Sequence, residues 1–100
     1  LLNQSGTNAP VATVLENTLG GTVTLLRDGQ GYYSANSLGL FTMDKTIVFV
    51  SVGINLISNS NQTTMQRPLS TNKVEIWTKE NGTNIDSALS KTSIEIRVYN

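Results

Sequence analysis

The run Thr46–Val52 (TIVFVSV) constrains the fold more than any other stretch of the chain. Nearly every residue in it is β-branched or aromatic. Branching at Cβ restricts χ1 and favours an extended backbone over a helix. In an extended chain Ile47 and Phe49 point one way, while Val48, Val50 and Val52 point the other. Both faces are apolar, the pattern of a strand covered on two sides. The run is far shorter than the roughly 20 apolar residues that span a bilayer. The expectation is a central strand with the others packed around it. A second cover comes from Leu38–Phe41 or from another subunit. As a core aromatic, Phe49 should cost about 3–5 kcal/mol when cut to alanine.

The remaining segments are strands with one apolar face. Val11–Leu15 reads as a strand, with a short helix as its rival, before Gly20-Gly21 breaks the chain. Thr22–Arg27 alternates, with Val23 and Leu25 opposite Thr22 and Thr24, and Asp28-Gly29 predicts a type I′ turn into Gly31–Ala35. Asn36–Lys45 is a connection anchored by Leu38, Leu40 and Phe41, with an exposed corner at Asp44 and Lys45. Asn55–Leu69 is an edge strand or a long surface loop, since Pro68 is unsuited to a central strand. Lys73–Lys79 sets Val74, Ile76 and Thr78 against Lys73, Glu75, Trp77 and Lys79, and Asn81-Gly82 marks a second tight turn. Ile85–Leu89 is a short link. Thr92–Tyr99 points Ile94, Ile96 and Val98 inward. The sum is an all-β chain of about 6–8 short strands, an antiparallel β-sandwich or jelly-roll-like domain. Residues 1–100 make one such domain. Residues 1–10 form an approach segment, and the opening LLNQSG reads as the middle of a longer protein or a processed start.

Composition narrows the chemistry. There is no Cys and no His, which removes disulfides, thiolate chemistry, the usual zinc ligands, the commonest general base and both Ser–His and Cys–His nucleophile pairs. Seven basic and seven acidic residues are scattered singly, with no basic patch to collect phosphates, so nucleic-acid binding has no electrostatic drive. Charged residues are 14% of the chain, and 13 Thr, 10 Ser and 11 Asn take their place. Such surfaces are common on extracellular and virion β-proteins.

Carboxylates remain as catalytic candidates: Glu16, Asp28, Asp44, Glu75, Glu80, Asp86 and Glu95. Glu75 and Glu95 lie on outward faces of two late strands and could be neighbours. Lys73, Lys79 and Arg97 share those faces, so cross-strand ion pairs explain the two better than a glycosidase pair does. No carboxylate spacing matches a calcium loop. The chain therefore reads as a non-enzyme without cofactor or metal. Tyr32, Tyr33 and Trp77 are the binding candidates, because exposed aromatics stack on sugars and anchor protein interfaces. The alternative is that one tyrosine faces the core and Trp77 covers a sheet edge or a subunit contact. Asn3, Asn61 and Asn81 begin Asn-x-Ser/Thr triplets, which in an Asn- and Thr-rich chain arise by chance.

Ser5–Ala35 (SGTNAPVATVLENTLGGTVTLLRDGQGYYSA), the "LF…KT.VFV" middle and the ending TSIEIRVYN resemble a family of small β-rich C-terminal domains of phage and prophage proteins of Bacteroidetes-type bacteria. Residues 55–71 depart from that pattern. The resemblance implies a virion-associated structural or host-attachment domain of a fibre, spike or tail protein. It also implies a homo-oligomer, with a trimer favoured, beside other virion proteins and facing a host glycan or protein, and no insertion into a membrane. A carbohydrate-binding module of a bacterial surface protein and a structural capsid-decorating domain are the alternatives.

Overall fold

In the computed structural model, residues 1–14, 16–51 and 62–99 are described. The chain is all-β and antiparallel, with nine short strands among these residues. They are β1 (Leu2–Asn3), β2 (Val11–Ala12), β3 (Thr24–Gly29), β4 (Tyr32–Asn36) and β5 (Thr46–Ser51), then β6 (Gln62–Ser70), β7 (Lys73–Glu80), β8 (Thr83–Asn84) and β9 (Ser93–Val98). The main sheet runs β3-β4-β7-β6, and β8 continues the β4 side of β7. A two-stranded ladder of β5 and β9 lies over one face of it, and β1 pairs with β2.

The alternation of β7 decides which face of the main sheet is covered. Tyr33 and Ala35 of β4 stand opposite Ile76 and Val74, and all four are buried. Leu2 and Leu89 complete one cluster with Tyr33 and Ile76, and Phe41 completes the other with Ala35 and Val74. Val48 of β5 and Ile96 and Val98 of β9 pack on the second cluster, while Ile94 packs on the first. The sandwich core is thus the inner face of the main sheet closed by one face of the ladder.

Thr46–Ser51 is a strand, as its composition requires, but among the described residues it has one ladder partner, β9, and is not central. Among the described residues the strands with neighbours on both sides are β4 and β7. Phe49 is 52% exposed and Ile47 is also exposed, so the second apolar face looks outward. The Arg97 guanidinium covers part of the Phe49 ring at 5.9 Å. Leu38, expected as an anchor, is 92% exposed, whereas Phe41 is fully buried. Val52 and Asn55–Asn61 lie outside the described residues. From Gln62 onward the segment is an edge strand that carries Pro68, with a register irregularity beside it.

Two turns differ in outcome. Asn81 (φ 51) and Gly82 (φ 83) take the positive φ of the expected hairpin turn between β7 and β8. The β3–β4 hairpin does not turn at Asp28-Gly29. It carries a bulge between Arg27 and Gly29 and reverses at Gln30-Gly31. Gly31 has φ +59, and a Cβ there would lie 2.6 Å from the carbonyl oxygens of both Thr78 and Ile85. The Thr78 amide donates to Gly31 O, and the Ile85 amide donates to Thr78 O. Only glycine fits where these three backbones meet.

Phe41→Ala should therefore lower unfolding free energy by about 3–5 kcal/mol, while Phe49→Ala costs about 1 kcal/mol or less. Urea denaturation of the two variants checks this reversal of the expectation from sequence. Gly31→Ala combines left-handed strain with a backbone clash and should cost more than about 3 kcal/mol in the same assay.

Candidate functional site

The outer face of the main sheet is ordered in cross-strand rows. Leu26, Ser34, Glu75 and Arg67 form one row across β3, β4, β7 and β6. In the next row Tyr32, Trp77 and Met65 stand side by side. The Tyr32 and Trp77 rings stack with centroids 4.9 Å apart and planes 18° from parallel. Arg67, on the opposite flank of β7, places its guanidinium 5.4 Å from the Trp77 ring centroid. Trp77 thus has an aromatic ring on one side and a cation on the other.

Glu75 closes the group. One carboxylate oxygen accepts the Tyr32 hydroxyl, and the other accepts Arg67 Nε at 2.9 Å. The Glu75 side chain is almost wholly buried, whereas Arg67 keeps 61% of its side chain exposed. Burial favours the neutral acid, but the Tyr32 hydroxyl and Arg67 outweigh it and hold the Glu75 carboxyl below its ordinary value. The bond to this carboxylate, reinforced by burial, pushes Tyr32 up to about 12. The four side chains form one closed cluster, with Leu26 and Met65 exposed beside it.

Tyr33, the next residue, is on the other face and wholly buried. Its hydroxyl lies 2.8 Å from both Gln4 Oε1 and Asp86 Oδ1 and shares its one proton between these acceptors. Asp86 also accepts Arg27 Nε (3.2 Å), Arg27 Nη2 (2.7 Å) and the Gly31 amide (3.0 Å). The Arg27 guanidinium above all, with the Gly31 amide and Tyr33, holds Asp86 well below the usual carboxylate range against the effect of burial. Burial, followed by the bond to Asp86, raises Tyr33 above the tyrosine range. Tyr33 is thereby a joint of the core, and of the three aromatic candidates Tyr32 and Trp77, both half-buried, stand on the outer face.

Reasoning from sequence missed Arg67, Gln4 and Asp86 as partners. Arg67 sat in a segment without clear pattern, and its place beside Glu75 depends on the β6–β7 register. Glu75 and Glu95 are not brought together: one lies on the main sheet, the other on the β5–β9 ladder, where it accepts Arg97 Nε at 2.5 Å. Asp28 reaches Lys73 at 3.8 Å. Among the described residues no three Asp, Glu, His or Cys side chains gather as a metal site, and no helix is long and apolar enough to cross a membrane. No protein-family model matches the chain, and no curated protein or solved structure matches it.

The shifted groups give a pH dependence of defined sign. Asp86 and Glu75 have depressed values in the folded chain, so their contribution is complete above the unfolded carboxylate range near pH 4 and is lost as pH falls below it. Tyr32 is raised, so its contribution is complete below about pH 10 and is lost as pH climbs toward 12. Urea midpoints should fall on both sides of this window. Tyr32→Phe should shrink the alkaline loss, and Asp86→Asn, though less stable at pH 7, should shrink the acid one.

Proposed function

We propose that this chain is a non-catalytic, virion-associated domain of a bacteriophage fibre, spike or tail protein. It assembles with copies of itself and turns the outer face of its main sheet toward a host surface. The observation that carries this reading is the closed Tyr32–Trp77–Arg67–Glu75 cluster. Tryptophan, tyrosine and arginine are the residue types that dominate binding energy at protein interfaces, and side chains already locked in place lose little entropy on contact. The resemblance to small phage domains and the low-charge Thr/Ser/Asn-rich composition support the same reading. The lack of His and Cys, and the engagement of Glu75, Asp86, Glu95 and Asp28 by cations, favour a role in contact over catalysis. Exposed Ile47, Phe49 and Tyr99 around the β5–β9 ladder favour self-association.

The second reading, a carbohydrate-binding module, rests on the same aromatic pair. Stacking on a sugar needs an open ring face, and Trp77 has Tyr32 on one side and Arg67 on the other. A protein or mixed glycan–protein surface therefore suits the cluster better than a lone saccharide.

Fluorescently labelled protein should bind envelopes of a susceptible bacterial host. Trp77→Ala and Arg67→Ala should each weaken that binding about tenfold or more, with folding verified by circular dichroism. Binding unchanged in both variants removes the cluster from the contact. Competition by free oligosaccharide alone shifts the assignment to the carbohydrate module.

A further inference from the structure

The arginines of this protein are not engaged alike. Arg27 gives both Nε and Nη2 to Asp86, and Arg97 lies against Glu95, which is as exposed as Arg97 itself. Arg67 differs from both. Its Nε donates at 2.9 Å to Glu75, which is almost wholly buried, while 61% of its own side chain is exposed. A guanidinium has five N–H donors, and this contact uses one. Among the described residues no hydrogen bond is made by the other four, on the two Nη atoms. The bond to Glu75 and the Trp77 ring at 5.4 Å hold the group in place. With Nε tied to a buried carboxylate, the Nη end is the one left for solvent.

The charge on the outer face of the main sheet has the same bias. Alternation along β7 sets Lys73, Glu75, Trp77 and Lys79 outward, and Arg67 stands opposite Glu75. Two carboxylates answer these three cations, and both are engaged: Glu75 holds Arg67, and Asp28 reaches Lys73 at 3.8 Å. Lys79 is the surplus cation, one row beyond Trp77. Glu75 is turned inward to Tyr32 and Arg67, so an incoming anion meets donors there and no exposed carboxylate. Met65, 50% exposed, lies two residues before Arg67 on the same face, about 6.8 Å along the strand. The face thus offers an anion fork and an apolar side chain at the spacing of a strand.

We infer that Arg67 reads a carboxylate of a protein partner, an Asp or Glu placed two residues from an apolar side chain in an extended segment. This partner chemistry deepens the host contact proposed above and rests on it. The planar fork donates two parallel N–H bonds to the two oxygens of a carboxylate, which a lysine ammonium does not match. An extended segment repeats its side chains at the spacing of Met65 and Arg67, so one face of it meets both at once. A protein is favoured over an acidic glycan on two grounds. Trp77 is covered on both faces and leaves no ring face for a sugar, and exposed Met65 and Leu26 suit apolar side chains. Because Arg67 is held before contact, the carboxylate meets a fork that loses little further freedom on binding.

Trp77 is the only tryptophan of the chain, so its emission reports on the cluster without a label. The probe is the capped peptide Leu-Thr-Glu-Thr-Leu, whose palindromic order serves either strand direction. It should change Trp77 emission in a saturable titration, and Leu-Thr-Gln-Thr-Leu should bind about tenfold more weakly. Arg67→Ala should weaken the acidic peptide about tenfold or more and bind the two peptides alike. Arg67→Lys, which keeps the charge but not the fork, should weaken it about fivefold. Circular dichroism verifies the folding of both variants. Equal binding of the two peptides by the wild-type chain, or a response to neither, overturns the inference. Arg67→Lys binding the acidic peptide as well as the wild type does so too. A stronger response to trigalacturonate overturns the choice of a protein partner. Envelope binding is scored separately. Envelopes that bind through Arg67 while the acidic peptide does not bind overturn the carboxylate contact and leave the host contact standing. An acidic peptide that binds through Arg67 while envelopes do not bind supports the carboxylate site and removes the host contact.

Discussion

The Asp86 carboxylate is the interaction on which the rest of the structure depends. It lies in the short link after β8, yet it holds Arg27 of β3, the amide of Gly31 in the β3–β4 turn and the hydroxyl of Tyr33 on β4. Tyr33 reaches Gln4, whose oxygen also takes the Ser87 amide. Three chain segments remote in sequence, the first residues, the β3–β4 hairpin and the link after β8, thereby converge on two side chains. A carboxylate accepting several bonds in a largely buried place is stable only while all its partners are present. The site therefore acts as a joint: it sets the end of the hairpin, the path of the link and the seating of the first residues.

With that joint in place, the two faces of the main sheet take different work. The inner face supplies the core, and the outer face carries the Tyr32–Trp77–Arg67–Glu75 cluster. Glu75 is the counterpart of Asp86 on this second face. Each is a carboxylate enclosed by a tyrosine hydroxyl and a guanidinium, and adjacent residues Tyr32 and Tyr33 serve the two in turn. One joins segments that would otherwise separate. The other stiffens a surface that faces solvent, which is what a contact site needs if binding is not to cost further ordering.

The ladder of β5 and β9 is the less enclosed layer. Its inner residues complete the core, and its outer residues Ile47 and Phe49 remain uncovered. Those exposed apolar side chains are what favours this layer for the self-association proposed above.

Much of the fold was legible in the amino-acid sequence. Period-two alternation placed Val74, Ile76 and Thr78 inside and Trp77 outside, because successive side chains of a strand must point to opposite faces. Asn81-Gly82 marked its turn because so few residue pairs tolerate positive φ twice. Pro68 confined its strand to an edge because it has no amide to donate. Periodicity says which residues share a face, but not what covers that face. Tyr32 and Tyr33 were equivalent until the β4–β7 register sent one to the cluster and the other to Asp86. Phe49 and Val48 were equally apolar until β9 and the main sheet covered only the valine side. Arg67, Gln4 and Asp86 have no local signature, since each acquires its partner from a segment remote in sequence or on a neighbouring strand. The chain alone determined strands, turns and inward residues through local sterics. Tertiary structure alone decided burial and partnership, which depend on how distant segments meet.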